Sequence, residues 1–152
     1  MQVAELMKRN VITIGEHLTC HDAIDRMCRE KVRHLPVVGR NGQLVGVITD
    51  RDVRHWLFTP GIYPRVGRVP TAALLREALV RDVMSTPALA IASRADVSEA
   101  ADRMRAARIG SLVVVETGQV VGILTEIDLL RHVMTMSETQ TSPELDVVVS
   151  YP

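Results

Sequence analysis

The chain carries one pattern twice, and that duplication limits the folds open to it. Residues 3–38 align with 80–115 and, after the loss of one loop residue, 40–55 align with 116–131. Identities include Met7/Met84, Ile14/Ile91, Ala23/Ala100, Asp25/Asp102, Arg26/Arg103, Met27/Met104 and Val38/Val115 in the first block. The second block repeats Gly42/Gly118, Gln43/Gln119, Val45/Val121, Gly46/Gly122, Thr49/Thr125 and Asp52/Asp128. Most repeated positions are apolar and serve a core. Gly-x-x-Thr-x-x-Asp is different, because it repeats polar side chains at fixed spacing.

At 152 residues the chain suits one ordinary domain, or two half-size units that are marginal alone and share a core. The duplication favours the second: a first unit over 1–57, a linker with a helix start over 58–79, a second unit over 80–134 and a tail over 135–152. Lys plus Arg equals Asp plus Glu at 18 each, so no broad electrostatic surface points to nucleic acid as primary partner or to an anionic membrane. The aromatics are Trp56, Phe58, Tyr63 and Tyr151, too few for a base-stacking platform. No apolar run approaches the roughly 20 residues of a membrane span, and no signal-peptide stretch is visible, so a cytoplasmic location is expected. Cys20 and Cys28 on one helix would stand about 12 Å apart, too far to bridge. They are expected to be buried free thiols.

Each unit reads strand, helix, strand, strand, helix, an α/β (α+β) pattern. Val11–Ile14 and its copy Ala88–Ile91 are short apolar runs. Thr19–Glu30 has helical period, with Thr19 and Asp22 in a capping-box pattern; Asp96 and Glu99 repeat it. Leu35–Val38 and Leu44–Ile48 flank an Asn-Gly turn signal, and Leu112–Val115 and Val120–Leu124 form the matching hairpin. Asp50–Leu57 and Glu126–Met134 close the units as helices. Pro60, Gly61, Pro64 and Gly67 mark an irregular linker, followed by a helix expected from Thr71 to Met84. Val147–Val149 would form a short tail strand.

Both signatures run from a strand end into a helix start. A hydroxyl beside unpaired helix N–H groups suits an anion, and a carboxylate one turn later can accept bonds from vicinal hydroxyls. Together they match a nucleotide's ribose phosphate. The competing reading is a plain Thr-x-x-Asp helix cap that needs no ligand.

Two signatures in tandem register, with the His34-Leu35-Pro36-Val37-Val38 strand, resemble a pair of cystathionine-β-synthase (CBS) motifs, or Bateman module. The resemblance covers about residues 3–57 and 80–134. It implies β-α-β-β-α units packed with pseudo-twofold symmetry, two clefts, adenosine-type regulatory ligands (AMP, ADP, ATP, NAD or S-adenosylmethionine) and a homodimer. It further implies that Thr49 and Thr125 meet phosphate, that Asp52 and Asp128 hold ribose hydroxyls, and that the base lies against Val11-Ile12 and Ala88-Leu89. Arg33, His34 and Arg51 are the candidates for charge recognition. At the matching positions the second unit has Gly110, Ser111 and Ile127, small or apolar, and Val113 replaces Pro36. The two clefts are therefore expected to be unequal.

Self-contained catalysis and a resident metal are not expected. His17 precedes the cap at Thr19, so it cannot share a helical face with His21, and no third ligand is placed. Two non-enzymatic readings remain: a nucleotide sensor, or a ligand-free dimerisation and docking module. No enzyme, channel or DNA-binding segment lies within the sequence, so the regulated partner is expected to be another molecule. Deleting residues 137–152 is expected to weaken dimers more than nucleotide binding; an unchanged sedimentation profile would count against this.

Overall fold

A computed structural model describes residues 1–139; the expected Val147–Val149 strand lies outside the described residues. The elements are α1 (Val3–Leu6), β1 (Ile14–Gly15), α2 (Cys20–Glu30), β2 (His34–Val38), β3 (Leu44–Thr49) and α3 (Asp50–Leu57). A 3-10 turn (Tyr63–Arg65) follows, then α4 (Thr71–Glu77), α5 (Val80–Val83), β4 (Ala90–Ile91), α6 (Val97–Ala107), β5 (Ser111–Glu116), β6 (Gln119–Thr125) and α7 (Glu126–Thr139). Two three-stranded sheets result, ordered β1-β2-β3 and β4-β5-β6. In each, the first pair is parallel and the second antiparallel.

The short opening segments of the two repeats exchange partners. Lys8 and Ile123 trade two main-chain bonds of 2.9 and 3.0 Å, while Ser85 and Val47 trade two of 2.9 and 3.1 Å. Thus α1 seals the second sheet, and α5 seals the first. Val3 and Met7 accordingly join the core of Ile91, Met104, Leu112 and Leu124. Val80 joins that of Ile14, Met27, Leu35 and Ile48. Neither sequence repeat completes a core from its own residues.

This crossing accounts for two repeated identities at once. A Cβ on Gly46 would lie 2.7 Å from Met84 Sδ and 2.9 Å from the Ser85 carbonyl; on Gly122 it would lie 2.6 Å from Met7 Sδ. The repeated Met and the signature Gly are two sides of one contact. Arg26 and Arg103 are likewise structural, donating to the equivalent carbonyls of Thr13 and Ala90 at 2.8 and 3.1 Å.

Several expectations are revised. The helix expected over 71–84 is broken at Ala78-Leu79, because Ala78 accepts from Cys20 N and Val80 donates to Leu18 O, each at 2.8 Å. The four-residue helix α1 is not among the expected elements, being too short to show a period, and the end of the expected 71–84 helix stands as the separate α5. The first strands are two residues long. β4 begins one position earlier than β1 in the repeat frame, since Val113 N donates to Leu89 O at 3.2 Å while Pro36 has no N–H to offer Ile12. The linker contains the 3-10 turn, which Arg65 ties to α4 through a bidentate pair with Glu77, both bonds 2.8 Å. Asp96 caps Ser98 N at 2.8 Å, whereas Glu99 pairs with Arg103, so no capping box forms there. Cys20 is buried, its thiol pushed up to about 11 by burial and by Asp82, but Cys28 is exposed.

Because the Gly46 and Gly122 contacts involve backbone as well as sulfur, overpacking is expected to cost about 1–3 kcal/mol in Gly46→Ala or Gly122→Ala. Gly61→Ala, with open space around it, is expected to stay within about 0.5 kcal/mol. Urea denaturation of the three variants checks this ordering.

Candidate functional site

β3 delivers Thr49 to the N-terminus of α3. Thr49 Oγ1 accepts Asp52 N–H at 3.1 Å, and Asp52 Oδ2 accepts Thr49 N–H at 2.9 Å, a reciprocal capping box. The capping reading is therefore correct as far as it goes. It leaves Asp52 Oδ1, which takes a bond from Ser85 Oγ at 3.0 Å. Asp52 and Ser85 both line a cleft between the two repeats.

The cleft has a volume of about 700 Å³, within the usual range for small-molecule sites. The first repeat contributes Arg33, His34, Thr49, Arg51 and Asp52; the second contributes Ala88, Leu89 and Ser111. Those eight sequence candidates meet in one place. Val47, Pro87, Met104, Ile109 and Leu129 extend its apolar wall. Sequence reading missed Arg54, Arg105 and Arg108, which also line it. Their partners in the repeat frame are Leu130, Cys28 and Lys31, so the repeat itself held no signal for Arg54 or Arg105. Five arginines face three carboxylates, Asp50, Asp52 and Glu126. Arg54 pairs with Asp50 at 3.4 Å and Arg105 with Asp102 at 3.5 Å. Among the described residues, Arg33, Arg51 and Arg108 are in no ion pair.

Val11, Ile12, Thr125 and Asp128 do not line this cavity. Thr125 N and Oγ1 both donate to Asp128 Oδ2, at 2.9 and 2.7 Å. Asp128 Oδ1 lies 3.3 Å from Lys8 Nζ, and its side chain is 5% exposed. Gly110 leaves room for protein groups: a Cβ there would lie 3.2 Å from His34 Nε2 and 3.4 Å from Glu126. His17 and His21 stand apart, His17 over Gly15 and His21 3.4 Å from Arg76.

The sequence profile of the CBS domain matches residues 3–59 and 80–135, more than half the chain. The chain belongs to the CBS domain family. A CBS domain-containing protein of Dictyostelium discoideum is 33% identical over 137 residues, covering 90% of this chain and 93% of that protein. Several other relatives are longer; the chain spans 27% of a Methanocaldococcus jannaschii protein that is 29% identical to it. Two crystal structures show the same fold, each 22% identical with a TM-score of 0.71 and covering 90% of this chain and 98% of the other. One is a CBS domain pair in complex with 5′-methylthioadenosine and S-adenosyl-L-methionine; the other is CBSX2 in complex with AMP. The paired sheets and crossed segments are thus the pseudo-twofold arrangement of a CBS pair. No helix among the described residues is long and apolar enough to cross a membrane.

His34 lines the cleft of this CBS pair. Burial pushes its imidazole pKa down and Arg33 adds to that, outweighing the raising effect of Asp50, Glu126 and Asp52. A lowered folded-state pKa means that the unfolded chain binds the proton more readily. Stability from neutral His34 is therefore present above about pH 6.5 and lost as pH falls through and below that value. His34→Gln is expected to flatten the stability-versus-pH curve below about pH 6.5. Loss from the depressed carboxyls Asp22, Asp96 and Glu77 should remain at lower pH. Chemical denaturation at stepped pH reads both.

Proposed function

We propose that this protein is a regulatory sensor that holds an anionic adenosine nucleotide in the cleft between its CBS motifs. One observation carries the reading: a carboxylate whose Oδ1 is held by a single neutral hydroxyl, an apolar wall and three arginines outside ion pairs converge on one cavity. Asp52 Oδ1 would accept the ribose hydroxyls, and Ala88 and Leu89 would pack against the base. Thr49 and the α3 N-terminus, with Arg33 and Arg51, would meet phosphate. His34 and Ser111 complete the boundary between the repeats. No cofactor is required; the nucleotide acts as a regulatory ligand.

The solved CBS pairs that carry AMP or S-adenosyl-L-methionine support the adenosine class. The arginine excess favours AMP, ADP or ATP over the sulfonium cation of S-adenosylmethionine. CBS pairs are generally regulatory modules, which supports a non-catalytic role for this chain. A ligand influences such a module only by differential affinity for two arrangements. α7 is placed to transmit the difference. It supplies Glu126, Leu129 and Leu130 to the cleft, and it also exposes Ile127, Val133 and Met134. That apolar face supports a homodimer contact or the docking of a regulated protein.

Calorimetry with AMP, ATP, NAD and S-adenosylmethionine tests the reading. AMP or ATP is expected to bind most tightly. Asp52→Asn, which keeps an acceptor for the cap, should weaken binding at least about tenfold, or about 1.4 kcal/mol. Arg33→Ala should weaken ATP more than adenosine. Absence of heat with all four ligands would favour the docking module, in which the Thr–Asp pairs only cap helices.

A further inference from the structure

We infer that Lys8 occupies the second Thr–Asp pair as an internal substitute for a ligand, so that this chain has one adenosine-type site. The inference rests on the cleft reading above.

Lys8 and Ser85 are equivalent positions. Each follows the repeated methionine, Met7 or Met84, and each exchanges two main-chain bonds with the signature strand of the other repeat. Each also places its side chain against Oδ1 of the signature aspartate, Lys8 Nζ at 3.3 Å and Ser85 Oγ at 3.0 Å. The backbone is thus the same at both places, and only the side-chain chemistry differs.

That difference decides access to the aspartate. Ser85 offers one neutral hydroxyl that can rotate aside to water, and it leaves Asp52 Oδ1 free to take a ribose hydroxyl. Lys8 offers a full positive charge to a carboxylate only 5% exposed, whose other oxygen already holds two bonds from Thr125. Drawing the ammonium away would leave a buried negative charge without its main counter-ion, since Arg131 stands 3.9 Å off on the exposed side. A diol offers only neutral donors in exchange. The sequence agrees at one neighbouring position: Arg51 lines the first cleft, and Ile127 stands at the matching place of the second repeat.

The test uses AMP as probe, by calorimetry and by amide NMR shifts of the second repeat. Asp52→Asn weakens the first site; adding Lys8→Ser is expected to raise AMP binding at least fivefold above Asp52→Asn alone. Adding Asp128→Asn to that variant should abolish the gain. Conversely, Ser85→Lys in the otherwise native chain should weaken AMP binding at least tenfold by giving Asp52 the same ion pair. The inference is overturned if a folded Lys8→Ser, Asp52→Asn protein binds no better than Asp52→Asn. It is equally overturned if Lys8→Ser alone loses a binding event. Should the Lys8 variants fail to fold, undiminished binding by Ser85→Lys overturns it. Failure of the native chain to bind AMP would sink the first-cleft reading, whereas a gain from Lys8→Ser would still stand for the inference.

Discussion

The exchange of segments between the repeats is the constraint on which the structure depends. Met7 lies on Gly122 and Met84 on Gly46, with Lys8 and Ser85 hydrogen-bonded to the strands beneath. If either glycine bore a side chain, the crossing segment could not reach its strand. Half-size units gain little stability from their own cores; here each core is closed by a helix that belongs to the other repeat. The pair therefore folds as one body, and the cleft between its halves is a product of the same crossing. Ser85 reaches Asp52 because Met84 is packed on Gly46.

Symmetry of backbone and asymmetry of side chains then divide the labour. The two sheets, the two capping aspartates and the two crossings are equivalent. A lysine on one aspartate and a serine on the other make one carboxylate a closed ion pair and the other an open acceptor. Arginines gather on the open side. The duplicated signature is thus a structural device at both places and a candidate ligand contact at one.

Much of this was legible in the sequence. The hairpins around Asn41-Gly42 and Thr117-Gly118, the Thr19 capping box and the starts of the helices following each signature appear where patterning and turn chemistry put them, although α7 runs to Thr139, past its expected end at Met134. Eight of the candidate residues line the cleft because they sit at or beside the ends of strands, where direction follows from local geometry. What escaped is non-local. The break at Ala78-Leu79 exists because that backbone pairs with residues 18–20, far away in the chain. Arg54 and Arg105 enter the cleft from helix faces that look like ordinary solvated ones. Cys28 looked core-like by residue type but lies on the outer face of α2.

Alone, the sequence determined that there are two like units, which hairpins and longer helices compose them, and which polar residues stand at the helix starts. Those properties follow from periodicity, turn residues and caps, all of which act over a few residues. Only the tertiary structure decided which half of the chain seals which sheet, and therefore which side chain lies against each aspartate. Lys8 and Ser85 are unremarkable letters in the sequence. They acquire opposite consequences because the fold brings each, across more than thirty residues of chain, onto a carboxylate whose surroundings are already fixed.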